Sequence, residues 1–207
     1  MKPQVSIIIL NHNASQFLAD TLDSIAAQQE IKTEVIVVDN NSTDGSSAMV
    51  KKEYPEVKWL QRKTNIGFSA GNNVGVKHVS GDTILFLNPD ASFTGSSDLK
   101  KCYEKLWSTK GVGALTARVN LVSTGGVDET CHRGFPTPWA SFTHFSGLSQ
   151  LFPTLPLFNQ YTKNYLGYTN EHKIDSVGGM FFLIKREVGD QVGWWDEDYP
   201  FYGDDLD

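Results

Sequence analysis

Residues 34–47 read EVIVVDNNSTDGSS. Val35–Val38 is a β-branched run suited to a buried strand, and at Asp39 it gives way to Asn, Asp, Ser, Thr and Gly, the residues of turns and helix caps. A helix is then expected to about Tyr54. A strand, a polar loop and a helix make the repeating unit of a parallel sheet covered by helices, so the flanking stretches decide whether the unit recurs.

It recurs on both sides. Upstream, VSIIIL (Val5–Leu10) reads as a buried strand, followed by a helix from about Ser15 to Gln29 with Phe17, Leu18, Leu22, Ile25 and Ala26 on one face. Downstream come a third strand, VKWLQ (Val57–Gln61), and the glycine-rich NIGFSAGNNVGVKHVSG, a loop feeding a helix that ends near Gly81, with Ala70, Val74 and His78 along one side. TILFL (Thr83–Leu87) is a fourth strand and delivers Asn88-Pro89-Asp90. A helix over Ser97–Trp107 and a strand over Gly111–Val119 follow. From about Thr124 to Asp175 the regularity lapses into Pro and aromatic residues, and it returns with a strand over Val177–Lys185, a short helix REVGDQVG and the acidic end WWDEDYPFYGDDLD. The alternation predicts an α/β fold, a Rossmann-like three-layer α/β/α sandwich around a mostly parallel sheet.

Composition agrees. A chain of 207 residues that is 40% hydrophobic can bury a substantial core as one α/β domain. Its net charge of −6 excludes nucleic acid or an anionic membrane engaged by bulk charge. Two cysteines, Cys102 and Cys131, are too few for a disulfide framework and fit a reducing compartment, with a single bridge left open. The apolar N-terminal run is too short for a signal peptide, and no window approaches the ~20 apolar residues of a spanning helix, so the expected location is cytoplasmic.

In an open α/β sheet, ligands bind at the carboxyl ends of parallel strands. Three loops there are polar. Asp39 either accepts hydrogen bonds from a ribose or base, or caps the next helix. Asp90 either sits in a structural turn or holds a divalent cation that also touches phosphate oxygens, since Mg²⁺ commonly combines one or two carboxylates with substrate phosphates. Pro89 biases Asn88 to an extended conformation and makes a rigid mount for Asp90. The acidic end reads either as a solvated run or as carboxylates clustered with Phe201, Tyr202 and Leu206, an environment that raises some carboxyl pKa values toward general-base duty.

VSIIILNHNAS, EVIVVDNNSTDGS, NIGFSAGNNVGV, GDTILFLNPD and VGGMFFLIKREVGDQVGWWDEDYPFYGDDLD occur together in this order. With them the chain resembles the family 2 glycosyltransferases of GT-A fold, and among those the rhamnosyltransferase-like branch, over nearly its whole length. The resemblance implies an inverting transfer of a sugar, rhamnose or another deoxyhexose, from a nucleotide-diphosphate donor. The acceptor it implies is a hydroxyl of a saccharide or lipid-linked molecule in cell-surface polysaccharide synthesis, with Mg²⁺ or Mn²⁺ as cofactor and peripheral contact with the inner face of the membrane. It divides the chain into a nucleotide-sugar-binding half, 1–95, and an acceptor-side half, 96–207, and it implies that family members usually continue beyond the present end.

Residue roles follow by position. Asp39 matches the acid that contacts the nucleoside, Leu10, Asn11 and His12 match the segment flanking the base, and Asn65, Gly67 and Asn72 match the loop beside the nucleotide. Asn88-Pro89-Asp90 matches the Asp-x-Asp motif, with Asp90 as the metal-contacting acid and Asn88 in place of the first Asp. One fewer negative charge leaves the cation more dependent on the diphosphate. Gly203-Asp204-Asp205 matches the Glu-Asp motif, with Asp205 as general base and Asp204 one methylene shorter than the usual Glu. The sequence departs from the family at Gly189, where an apolar residue is commoner, and at Trp194. Gly178 and Gly179 admit both a packing and an acceptor-approach reading. The aromatic segment from Trp139 to Tyr168 admits sugar stacking, a lid, an apolar surface for a lipid-linked acceptor, or core packing.

Three alternatives compete. A dinucleotide-dependent oxidoreductase lacks its glycine fingerprint in NHNAS. A nucleotidyltransferase would show a basic, glycine-rich loop near the N-terminus, where the first thirty residues hold only Lys2. A nucleotide-sugar-binding fragment without turnover shares every donor-side feature.

Overall fold

The structure is a computed structural model that describes residues 2–199. The elements are β1 (Val5–Asn11), α1 (Ser15–Ala26), β2 (Thr33–Asp39), α2 (Ser46–Glu53), β3 (Lys58–Gln61), α3 (Phe68–Val76), β4 (Thr83–Leu87), α4 (Asp98–Ser108) and β5 (Ala114–Leu115). After these come β6 (His132–Arg133), α5 (Pro138–Phe145), α6 (Leu148–Leu151), β7 (Ser176–Val177), β8 (Phe181–Lys185) and α7 (Arg186–Val192). The chain forms two compact units, one of residues 2–115 with 179–199 and one of residues 116–178.

The first unit is built on a six-stranded sheet in the order β3-β2-β1-β4-β8-β5. β1 runs parallel to both β2 and β4, with Ile8 beside Ile36 and Ile7 beside Leu85, while β8 is antiparallel to β4 and β5. Strand side chains alternate faces. Ile8, Ile36, Val38, Ile84, Phe86 and Ile184 join one core cluster, completed by Trp195. Trp195 meets Phe86, Phe68 and Phe182 edge-on, at ring separations of 5.1, 5.2 and 5.7 Å. The alternate residues Ile7, Val37, Leu85 and Leu183 are also fully buried.

Helix α3 lies against β1 more closely than ordinary side chains permit. A Cβ at Gly75 would stand 2.6 Å from Ile8, and one at Gly71 would stand 2.4 Å from Leu10. The four-residue spacing of Gly71 and Gly75 clears one helix face for this approach.

Two sequence expectations are corrected. The strand expected over Gly111–Val119 is only the two residues of β5, because β8 pairs with Ala114 and Leu115 alone and residues from Thr116 onward belong to the second unit. The run expected as one strand over Val177–Lys185 is two: Val177 ends β7, which pairs with β6, and β8 begins after Gly178-Gly179-Met180. At Gly179 a Cβ would sit 3.1 Å from the Phe68 ring, which supplies the packing reason for that glycine.

The departures at Gly189 and Trp194 explain each other. A Cβ on Gly189 would lie 2.2 Å from the Trp194 indole, which fills the space an apolar side chain there would take. Gly193 and Trp194 both donate their backbone N–H to the Gly189 carbonyl, closing α7, and Trp194 adopts φ +67° to do so.

In the second unit the expected irregular stretch contains α5 and α6. The α5 start was legible in Thr137-Pro138: the Thr137 side chain accepts from the Ala140 N–H and proline occupies the first turn.

Candidate functional site

The carboxyl ends of β1 and β2 are hydrogen-bonded into one frame. Asn11 donates from Nδ2 to Asp39 Oδ1 at 2.7 Å and to Ser42 Oγ at 3.0 Å. The Asn40 N–H donates to the Asn11 carbonyl, and His12 Nδ1 lies 2.8 Å from the Asn40 carbonyl. Asn13 donates its N–H to Ser42 Oγ and accepts from the Thr43 N–H, while the Ser15 N–H donates to Asp44 Oδ2 at 2.7 Å. Asn13 and Asn41 hold φ of 54° and 65°, a conformation Asn tolerates better than most residues.

Asp39 is fully buried at the centre of this frame. Besides Asn11 it accepts from the Ser42 N–H and from Gln61 Nε2. It does not cap α2, which begins at Ser46: that helix start is served by Asp44, which accepts from both the N–H and the hydroxyl of Ser46. Burial pushes the Asp44 carboxyl up, but the hydrogen bonds from Ser46 and Ser15 outweigh it and hold the group down at about 2.

The glycine-rich loop joins the frame through Asn40, whose Nδ2 donates to the Gly67 carbonyl at 3.0 Å, while the Gly67 N–H donates to Asn65 Oδ1. Gly67 has φ +86°, a conformation glycine adopts freely, and caps α3 there. Asn72 stands on the next turn and is buried.

The frame leaves atoms unmet. Asn11 Oδ1, Asn40 Oδ1, Asn72 Nδ2 and Arg62 Nε are buried without a hydrogen-bond partner. Native proteins satisfy the large majority of buried polar atoms, so several unmet ones on adjoining segments make these strand ends a candidate ligand site. Asn40 and Arg62 were not singled out from the sequence, although Asn40 directly follows Asp39 and Arg62 directly follows β3, where its N–H donates to the Asp39 carbonyl.

Beside β1, the end of β4 turns tightly. The Ala91 N–H donates to the Asn88 carbonyl, Thr21 Oγ1 donates to the Pro89 carbonyl at 2.8 Å, and the Asn88 N–H donates to the Met180 carbonyl. The turn is therefore fixed by α1 and by the residue before β8, and Asp90 at its tip is exposed. No group of three or more His, Cys, Asp or Glu suited to a metal occurs among the described residues. One exposed carboxylate fits a cation whose remaining ligands are phosphate oxygens and water.

Asp204 and Asp205 lie outside the described residues. The segment before them is tied to α3: Asn73 Nδ2 donates to the Trp195 carbonyl at 2.8 Å and to Glu197, the Trp195 N–H donates to Asn73 Oδ1, and Ser69 Oγ donates to the Tyr199 carbonyl.

Known proteins share this architecture. The chain is 24% identical over 211 residues to the low-salt glycan biosynthesis hexosyltransferase Agl10 of Haloferax volcanii, covering 100% of this chain and 61% of that protein. It is 24% identical over 220 residues to the N-acetylglucosaminyl-diphospho-decaprenol L-rhamnosyltransferase of Mycobacterium tuberculosis, covering 100% of this chain and 69% of the relative. The mannosyltransferase PcManGT of Pyrobaculum calidifontis, solved with GDP-Man and Mn2+, superposes with a TM-score of 0.65 at 20% identity, covering 100% of this chain and 50% of that one. S. aureus TarS 1-349 in complex with UDP gives 0.63 at 20% identity, covering 100% and 53%. The chain spans 61% of Agl10 and half of the mannosyltransferase, and these structural likenesses establish its GT-A fold. The match to Glycosyl transferase family 2 runs over residues 6–193, and the chain belongs to that family.

Proposed function

We propose that this chain binds a nucleoside-diphosphate sugar at the carboxyl ends of β1–β4 and transfers the sugar, with inversion, to a hydroxyl of a saccharide or lipid-linked acceptor in glycan synthesis. The observation that carries the reading is the set of unmet buried atoms, Asn11 Oδ1, Asn40 Oδ1, Asn72 Nδ2 and Arg62 Nε, on a frame already rigid without ligand. Fixed donors and acceptors of this kind suit a nucleoside, whose own polar edge is fixed. Leu10 and His12 flank the base, and Asn65 and Gly67 border the nucleotide. Asp39 holds Asn11 and Gln61 in place, since three of the four lone-pair sites of its carboxylate already accept bonds. The complexes of relatives with GDP-Man and with UDP support a donor of this class, and the rhamnosyltransferase and hexosyltransferase relatives support a hexose or deoxyhexose.

Asp90, with Asn88 beside it, would hold a divalent cation together with the donor diphosphate. When bound, such a cation neutralises charge on the leaving diphosphate. Asp205 takes the proton of the acceptor hydroxyl, whose oxygen bonds to the anomeric carbon as the bond from that carbon to the phosphate oxygen breaks and its electron pair leaves with the nucleoside diphosphate. Asp204 flanks that base. Residues 1–95 form the donor half of this scheme and 96–207 the acceptor half.

A thermal-shift screen of nucleotide sugars with Mg²⁺ or Mn²⁺ tests the donor, because a ligand that binds only the folded state stabilises it by an amount that grows with the logarithm of its concentration over Kd. A transfer assay then tests the chemistry. Asp205→Asn is expected to slow turnover by about 10²- to 10⁴-fold with donor binding nearly unchanged. Unchanged turnover would remove Asp205 from the mechanism, and donor binding without any transfer in the wild-type chain would favour a nucleotide-sugar-binding role alone.

A further inference from the structure

Three of the chain's five histidines, His132, His144 and His172, lie in the second unit, and two of them meet. His132 Nδ1 lies 2.8 Å from His172 Nε2, and His172 Nδ1 lies 3.0 Å from the Asn170 carbonyl. A carbonyl oxygen only accepts, which assigns the ring proton of neutral His172 to Nδ1 and leaves its Nε2 with a lone pair. His132 Nδ1–H is then the donor between the rings, and His132 Nε2 carries no proton. That atom is buried with no hydrogen-bond partner, in a residue that is 4% exposed. With both rings neutral, every ring N–H of the pair has an acceptor.

An added proton cannot be placed without breaking the contact. On His132 Nε2 it would make a buried cation whose new N–H has no acceptor. On His172 Nε2 it would set two N–H groups face to face, unless His132 moved its own proton to the same buried Nε2. We propose that the His132–His172 pair is a proton-sensitive latch, which closes residues 168–175 on β6 when both rings are neutral and releases them when either takes up a proton. The backbone pairing beside the latch is short, since β6 and β7 pair over two residues each. Around it, the Asp175 N–H donates to the Arg133 carbonyl, Lys163 pairs with Asp175 at 2.7 Å, and the Tyr168 ring stacks on His132 at 4.7 Å.

The surrounding groups act on His132 in both directions. Burial, and after it the neighbouring His172, push its pKa below the ordinary 6.5; Glu129, in the turn before β6, opposes them and Lys163 adds to them. Asp128, Cys131 and Arg133 stand close to His132 along the chain, Glu171 and Lys173 flank His172, and β7 brings only Ser176 and Val177. A folded value below the unfolded one means that the segment's stability is full above about pH 6.5 and falls as pH drops from there. The latch lies wholly in the second unit, and its working does not depend on donor binding.

The test is hydrogen exchange of the full chain, read by mass spectrometry from about pH 8 to about pH 5 and corrected for the intrinsic exchange rate. Protection of residues 168–175 should be constant above about pH 6.5 and fall below it by up to about tenfold per pH unit, the slope for one proton. Strands β1, β2 and β4 should keep their protection over the same range. His132→Phe keeps a ring against Tyr168 and has no nitrogen to titrate, so its profile should be flat. In the wild-type chain, a nitrogen–nitrogen coupling between His132 Nδ1 and His172 Nε2, measured by NMR on isotope-labelled histidine, should vanish as the protection falls. If His132→Phe is unprotected over 168–175 even at about pH 8, the wild-type coupling decides alone. Three results would overturn the proposal: protection of 168–175 that does not change with pH, an equal fall in a His132→Phe chain protected at about pH 8, which would assign the pH dependence to the nearby carboxylates, or a coupling that persists where protection is lost.

Discussion

Asp44 and Trp194 show how single residues fix local structure, the first at the candidate site and the second at the end of α7. Asp44 joins the start of α1 to the start of α2, accepting from Ser15 and Ser46. Its folded pKa of about 2 lies below the ordinary 3.8, so its contribution is complete above about pH 4 and is lost as pH falls from there toward 2. Asp44→Asn should therefore flatten the acid limb of a urea-stability profile between those pH values, and an unchanged limb would show that the bonds form equally well in the unfolded chain. Gly189 and Trp194 are one packing decision. Gly189→Leu should cost about 1–3 kcal/mol by overpacking, and adding Trp194→Gly should restore most of it, because that change vacates the space and places glycine at φ +67°. Additive losses in the double variant, read from urea midpoints, would contradict the coupling. The sequence marked both positions as unusual, but only the three-dimensional contact relates them.

Among the elements, α3 links the most parts of the site. Its preceding loop bonds to Asn40, its glycines admit it against β1, and Ser69 and Asn73 hold the segment that leads toward Asp204 and Asp205. Gly75→Ala should cost about 1–3 kcal/mol by forcing the helix off Ile8, against a gain of up to about 1 kcal/mol in helix propensity. Equilibrium urea unfolding decides the balance, and a more stable variant would mean that β1 yields to the added methyl. The strands β1, β2 and β4 were legible because a parallel sheet buried on both faces demands continuous apolar runs. β5 was not, because its pairing depends on how little of β8 is available, a tertiary fact. The helix α5 carried its signal in Thr137-Pro138, obscured by the prolines and aromatics around it.

At the scale of the whole molecule, the strand-end loops could be located from the sequence because the parallel topology puts function at the carboxyl ends of β1, β2 and β4. The internal bonding could not. That Asp39 is enclosed by Asn11, Ser42 and Gln61, and that Asn40 and Arg62 present unmet atoms, follows from how three loops meet in space. The central claim is that this frame binds a nucleotide-sugar donor whose diphosphate shares a cation with Asp90. Isothermal titration of a responding nucleotide sugar into the wild-type chain and into Asp90→Ala, each with Mn²⁺ and with EDTA, tests it most directly. The account predicts strong binding only for the wild type with Mn²⁺, with EDTA or Asp90→Ala each reducing it to a similar residual affinity. Equal affinity in all four titrations would contradict it.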